Sequence, residues 1–235
     1  MRRQTVVTKV VTESTAKTGS DPSELRSISH LVVLGHPSKS SFSAAIAERY
    51  VATIQANHHD AVIRDLYDLG FDPCLKEAER LSDRDDLLAP DVAAELDYLR
   101  RCDVVTFVYP LWFAMPPAMI KGYIDRVFGA GFRLNDLKKS DGRLFQGKRL
   151  AVMSTSASSL PWLEAQGMWI SLRKSFENYL QTVFGFVESY HYHAASIVDD
   201  LDPVEAERVL YEVGELARDI CAKTAMALRV ERSSK

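Results

Sequence analysis

The chain has 235 residues, of which 46% are hydrophobic and 26% are charged. This composition is that of a globular protein and argues against wholesale disorder, collagen or a coiled coil, and the length suits one large domain or two small ones. The formal net charge is −3 and the sequence contains no block rich in Lys and Arg, which argues against a nucleic-acid binder. The three cysteines form no CxxC motif, so they predict neither a disulfide framework nor a zinc site and favour a reducing, cytoplasmic location.

The N-terminal segment differs from the rest of the chain. Residues 1–29 are rich in Thr, Ser and charged side chains and lack periodic apolar spacing, so they predict a polar extension. Residues 30–235 predict one domain. The uncharged stretch 104–120 is shorter than the ~20 residues of a membrane-spanning helix and contains three prolines, so no membrane insertion is expected.

Short apolar runs, typical of buried strands, alternate with segments of helical spacing from residue 31 onward. In chain order they predict strand 31–34, helix 42–57, strand 61–66, helix 91–101, strand 104–108, helix 117–128, strand 150–153, helix 167–180, strand 183–192 and helix 203–226. This alternation predicts an α/β fold, a flavodoxin-like three-layer sandwich with a parallel five-stranded sheet in the order 2-1-3-4-5. In such a sheet, ligands bind at the carboxyl ends of the strands.

The first loop, residues 35–43, follows the first predicted strand and leads into a helix. Its hydroxyl groups, Lys39 and the helix N-terminus suit an anion such as phosphate. The alternative is an ordinary loop in which Ser40 or Ser41 caps the helix. The sequence has neither a GxGxxG motif nor a Walker lysine, so the two common nucleotide fingerprints do not apply.

Two further loops follow the third and fourth predicted strands. The second loop, residues 109–117, places aromatic side chains between prolines and offers flat surfaces to a planar ring, although these aromatics could equally cover the sheet. The third loop, residues 154–162, begins with small and hydroxyl-bearing residues that would let a ligand approach the backbone, or it is simply a solvated loop. One anion cradle beside two loops for a flat ring favours a flavin site.

The long segment 109–128, together with the Gly-His-Pro and Ser-Phe-Ser sequences of the first loop, resembles the flavodoxin-like NAD(P)H:quinone oxidoreductases. That group includes enzymes of the DT-diaphorase type and the ancillary flavoproteins of potassium efflux systems. The resemblance covers about residues 31–225. It implies a homodimer with bound flavin (FMN or FAD) that takes hydride from NAD(P)H and passes it by ping-pong chemistry to a quinone or another flat acceptor.

The resemblance also implies roles for residues of all three loops. The flavin phosphates and ribityl chain would be surrounded by His36, Ser38, Ser41, Phe42 and Ser43. The isoalloxazine ring would be held by Pro110, Leu111, Trp112 and Phe113. The pyrimidine end of the ring would lie beside Ser154, Thr155, Ser156 and Ala157.

The sequence departs from the family at two positions. Trp162 and Trp169 stand where mammalian-type members carry a Tyr and a His that steady charge on the reduced flavin. We expect both tryptophans to wall the substrate pocket, or else to be ordinary core or interface residues. This departure keeps a second function open, that of a flavin-binding regulatory subunit of a membrane transporter with little turnover.

No catalytic acid or base is identified from the sequence. His191 and His193 alternate along the fifth predicted strand and therefore share one of its faces. No third ligand accompanies them, so a metal site is not expected.

Overall fold

The computed structural model describes residues 26–79, 88–131 and 144–233, and in them five strands form one parallel sheet. The strands are β1 (Ser29–Leu34), β2 (Asp60–Asp65), β3 (Val104–Pro110), β4 (Arg149–Thr155) and β5 (Glu188–Ala194). Their order in the sheet is β2-β1-β3-β4-β5, and every neighbouring pair is parallel. The predicted flavodoxin-like sheet is therefore confirmed.

Helices connect the strands. They are α1 (Phe42–Ala56), α2 (Pro90–Arg101), α3 (Ala118–Tyr123), α4 (Gly129–Gly131), α5 (Leu160–Ala165), α6 (Met168–Leu172), α7 (Tyr179–Phe184) and α8 (Pro203–Ser233). A π-helical segment, Ile124–Phe128, joins α3 to α4, and a second one, Arg173–Asn178, joins α6 to α7.

The two faces of the sheet carry separate hydrophobic cores because alternate side chains of each strand point to opposite sides. Val32 and Val108 pack on the side of α1 and α8. Val33 and Phe107 pack on the other side, against α2 and the two helical segments that contain π turns. All seven residues of β3 are buried, which explains why this strand and its loop read as one uncharged stretch.

The predicted fifth strand, residues 183–192, is wrong at its start. Val183 and Phe184 belong to α7, and β5 begins five residues later at Glu188. Gly185 ends α7 in the left-handed conformation, with φ at 77°. Phe184 is buried in the core that also contains Val33 and Phe107, and an apolar run indicates burial without distinguishing a helix from a strand.

Residues that precede β1 pack against the domain. Ile28 is buried, and the Arg26 guanidinium pairs with both carboxylate oxygens of Asp103 at 2.6 and 2.9 Å. Of the predicted polar extension, residues 1–25 lie outside the described residues.

Candidate functional site

Backbone and side-chain hydrogen bonds bring the three loops together at the carboxyl edge of the sheet. The Leu111 N–H donates to the Thr155 carbonyl oxygen at 2.6 Å, which joins the second loop to the end of β4. The hydroxyls of Ser43 and Thr155 lie 3.3 Å apart, which joins α1 to the third loop. The loops identified in the sequence therefore form one continuous surface.

The first loop is fixed by the start of α1. Ser41 is the N-cap, and its Oγ accepts a hydrogen bond from the Ala44 N–H at 3.1 Å, so the capping interpretation is confirmed. Ser38 and Ser40 remain exposed with their hydroxyls 3.0 Å apart. Lys39 forms an ion pair with Asp68. Its charge is therefore already partly matched by a carboxylate of this chain.

His36 joins the first loop to the second. Its ring centroid lies 5.9 Å from that of Trp112, and its Nδ1 accepts a hydrogen bond from the Ser38 N–H at 3.0 Å. Burial lowers the pKa of His36, so the imidazole is neutral near pH 7 and presents no fixed charge.

The second loop contains a tight turn with backbone strain. Trp112 and Met115 exchange two backbone hydrogen bonds of 3.0 Å. The two residues between them, Phe113 and Ala114, both have positive φ, at 52° and 59°. Side chains other than Gly and Asn disfavour this conformation, and such strain concentrates at functional sites. The turn leaves the whole Phe113 ring in solvent at the edge of the sheet.

The first three hydroxyls of the third loop are buried and hydrogen-bonded. Ser154, Thr155 and Ser156 are each less than 9% exposed, whereas Ala157, the next residue, is exposed. The Ser156 Oγ donates to the Ser158 carbonyl oxygen at 2.8 Å. The buried side chains therefore hold the shape of this loop.

His193 bonds two of these hydroxyls, a role that the sequence analysis missed. Its Nδ1 lies 2.9 Å from the Ser154 Oγ and its Nε2 lies 3.0 Å from the Ser156 Oγ. Burial, with a smaller contribution from His191, lowers the pKa of His193 to about 4. The alternation of His191 and His193 was the available signal, but only the pairing of Ser154 with His193 in the β4–β5 register shows what the residue does.

The two tryptophans have different surroundings. Trp162, on α5, is 49% exposed near the loop edge. Trp169, on α6, is partly buried against the core that contains Val33 and Phe107, and its ring centroid lies 4.8 Å from the rings of both His191 and His193. Trp162 is therefore placed where a ligand could contact it, whereas Trp169 backs the third loop.

The residues present fit a flavin. The first turn of the 15-residue helix α1 carries no acidic side chain that would repel a phosphate. A Cβ on Gly35 would meet the Ile120 Cγ1 at 2.6 Å, so this glycine lets the first loop lie close to α3. Exposed Trp112, Phe113 and Met115 supply apolar surface for a flat ring. Within the described residues, no group of His, Cys, Asp or Glu is arranged to hold a metal ion.

Comparison with known proteins agrees with this geometry. Residues 29–211 of this chain match a protein family that is described as having a flavodoxin-like fold. An uncharacterized NAD(P)H oxidoreductase of Haemophilus influenzae is 31% identical over 74% of this chain and 87% of its own length. NAD(P)H dehydrogenase [quinone] 1 of Cavia porcellus is 30% identical over 59% of this chain, which spans 56% of that relative.

Solved structures share the fold. An NAD(P)H:quinone oxidoreductase from Methanothermobacter marburgensis superposes with a TM-score of 0.71 at 23% identity, over 83% of this chain and 96% of that one. An FMN-dependent NADH-azoreductase from Bacillus anthracis in complex with FMN gives a TM-score of 0.62 at 18% identity, and the match covers 82% of this chain and 99% of that one.

Proposed function

Because the chain belongs to the family with the flavodoxin-like fold, we propose that it is a flavin-dependent NAD(P)H oxidoreductase that reduces a quinone or a similar flat acceptor. The observation that carries this proposal is the joining of the three loops at one sheet edge through Ser43, Leu111 and Thr155. The Haemophilus and Cavia relatives are named for NAD(P)H oxidation, and the Bacillus structure contains FMN, which supports the same chemistry here.

Each loop has a distinct task in this proposal. The first loop binds the flavin phosphate through the N-terminus of α1 and the hydroxyls of Ser38 and Ser41. The second loop holds the ring against the backbone of Pro110 and Leu111. The third loop, shaped by its buried serines, faces the pyrimidine end of the ring. When bound, the flavin supplies the two-electron chemistry, and these residues position it.

The exposed aromatic turn forms the substrate side of the site. The rings of Trp112 and Phe113, with Trp162 at the edge, offer flat apolar surfaces on which a nicotinamide and then an acceptor stack in turn. Such surfaces exclude water from the ring without fixing the identity of the acceptor. This explains how one site serves both halves of a ping-pong reaction.

We also propose a homodimer with the site near its interface. An open groove of about 440 Å³ lies between the helical segments α3–α4 and α6–α7, and apolar side chains line most of it. Tyr179 borders this groove and is 58% exposed, which suits a face that a second copy covers.

Cysteine usage supports a cytoplasmic location, since all three cysteines are free. Across the described parts of the chain, no helix combines the length and apolarity needed to cross a membrane.

The alternative function, a regulatory subunit of a transporter, is not favoured because the relatives are named as oxidoreductases. Heating the purified protein and identifying the released compound by chromatography tests the cofactor. We expect FMN or FAD, and NAD(P)H oxidation that accelerates when a benzoquinone is added. Flavin that is bound but not turned over with any acceptor would favour the regulatory subunit instead.

A further inference from the structure

The turn that follows β2 lies beside the first loop and faces it with a carboxylate. Asp68 of this turn, residues 66–70, forms the ion pair with Lys39 of the first loop. Both side chains are largely exposed, at 75% for Lys39 and 58% for Asp68. The pair therefore bridges the carboxyl ends of β1 and β2 at the surface, where a ligand that extends beyond the first loop would meet it.

Backbone and side-chain hydrogen bonds fix this turn. The Leu69 N–H donates to the Asp65 carbonyl oxygen at 2.9 Å. The Asp65 Oδ1 accepts from the N–H groups of Tyr67 and Asp68 at 3.1 and 3.2 Å. The Asp65 carboxylate is thus used within the turn, whereas that of Asp68 reaches Lys39 outside it. Because the turn is braced in this way, the Asp68 charge is held at a defined place beside the first loop.

The chain that leaves the turn packs directly against α3. A Cβ on Gly122 would lie 2.3 Å from the Pro73 carbonyl oxygen, so only a glycine fits there. Phe71, two residues before Pro73, is buried. This contact leaves no room for a ligand between residue 73 and α3. A ligand that continues past the first loop in this direction therefore crosses the surface of the turn, next to Asp68.

The order of the strands sets the direction in which a flavin would point. The sheet runs β2-β1-β3-β4-β5. The loops proposed to hold the ring follow β3 and β4, and the loop proposed to bind the phosphate follows β1. The turn after β2 lies on the far side of β1 from the ring. FMN ends at its phosphate, whereas FAD continues beyond it with a second phosphate and an adenosine, which would lie toward this turn.

Charge separates the two flavins at this point. The terminal phosphate of FMN is a monoester and carries a charge of about −1.5 to −2 at pH 7, all of it at the N-terminus of α1, where the helix dipole stabilises it. In FAD the two phosphates are diesters that carry one charge each, and the second would lie near Asp68. Like charges repel, and the ammonium of Lys39 that would offset this repulsion is already engaged by the same carboxylate.

Resting on the proposed flavin site, we propose that Asp68 is a specificity-determining residue that selects FMN over FAD. Its carboxylate acts against the second phosphate of the dinucleotide and holds Lys39 away from it. The first loop then serves one terminal phosphate, and the turn after β2 closes the site beyond it.

The test is calorimetric titration of the full chain, freed of bound flavin, with FMN and with FAD in parallel. We expect wild type to bind FMN at least tenfold more tightly than FAD, and 1 M NaCl to narrow this difference, because the screening length falls to about 3 Å. Asp68→Asn is expected to narrow it about fivefold, mainly through tighter binding of FAD, and Asp68→Lys to narrow it further. Asp199→Asn is the matched control, because Asp199 is exposed and lies after β5, at the opposite end of the sheet.

Each result decides a different part of the proposal. FAD that binds wild type as tightly as FMN overturns the selection of FMN while the flavin site stands. An FMN preference that is the same in both Asp68 variants as in Asp199→Asn overturns the role of Asp68. A wild-type protein that takes up neither flavin overturns both this inference and the proposed function.

Discussion

The hydroxyl of Ser43 in helix α1 lies 3.3 Å from that of Thr155 at the end of strand β4, and both side chains are buried. These residues stand 112 positions apart in the chain and belong to two different loops of the site. Their contact therefore fixes the spacing between the proposed phosphate end and the proposed ring end of the flavin site.

We predict that Ser43→Ala lowers the free energy of unfolding by about 1 kcal/mol, since it removes one neutral hydrogen bond and leaves the Thr155 hydroxyl buried without that partner. Thr155→Val removes the other hydroxyl. The double variant is expected to lose less than the sum of the two single losses, as measured by urea unfolding in a double-mutant cycle. Strict additivity would show that the two hydroxyls do not interact.

Charge at the start of α1 is expected to control flavin binding. We predict that Ser41→Asp weakens FMN binding at least tenfold, because an added carboxylate would repel a phosphate at the helix N-terminus. Aspartate is as good an N-cap as serine, so the helix is preserved. Ser41→Asn keeps the cap without the charge and is expected to bind FMN within a few-fold of wild type. Equal affinity of the two variants, measured by flavin fluorescence quenching, would remove the first loop from the phosphate site.

The strained turn at Phe113 and Ala114 should be relieved by glycine. Ala114 has a φ of 59°, a conformation that costs an L-residue about 1–2 kcal/mol. Glycine removes this cost, but its greater freedom in the unfolded chain offsets part of the gain. We therefore predict that Ala114→Gly raises the free energy of unfolding by up to about 1 kcal/mol. Phe113→Ala is expected instead to raise the KM for a benzoquinone several-fold without stabilising the fold, because it removes the exposed ring and keeps the strain. A stability loss in Ala114→Gly would contradict this account of the turn.

A buried histidine far from the site makes stability depend on pH. His30 is fully buried with its Nδ1 2.9 Å from the Tyr50 hydroxyl, and burial lowers its pKa to about 3 from 6.5. Between these two values the unfolded chain binds the proton and the folded chain does not, so this contribution to stability is lost as pH falls below about 6.5. The slope approaches about 1.4 kcal/mol per pH unit.

We therefore predict that the stability difference between wild type and His30→Gln shrinks by about 2 kcal/mol when urea unfolding is compared at pH 7 and pH 5. Tyr50→Phe keeps the imidazole and should keep the same difference from wild type at both pH values. A His30→Gln difference that does not change with pH would show that His30 is not neutral in the fold.

The sheet could be predicted from the sequence because parallel strands buried on both faces read as short apolar runs. The run 31–34 and the run 150–153 lie inside β1 and β4. The start of β5 could not be predicted, since Val183 and Phe184 face the same core from the end of a helix. The apolar pattern indicates which residues are buried. It does not show that Gly185 ends a helix at this point and that the strand begins only after it.

The three loops could be predicted because each directly follows a predicted strand, but the partners of their side chains could not. Lys39 looked available to a phosphate, and the fold pairs it with Asp68. His193 lies 37 residues beyond Ser156, and only the strand register brings the two together. Contacts across the sheet depend on register, which no local pattern in this chain encodes.

The central claim is tested most directly by anaerobic spectroscopy of the FMN-loaded protein. Addition of one equivalent of NADH or NADPH is predicted to bleach the flavin absorbance, and addition of a benzoquinone is predicted to restore it. A protein that takes up neither FMN nor FAD, or whose bound flavin keeps its colour with both nicotinamide nucleotides, would contradict the account.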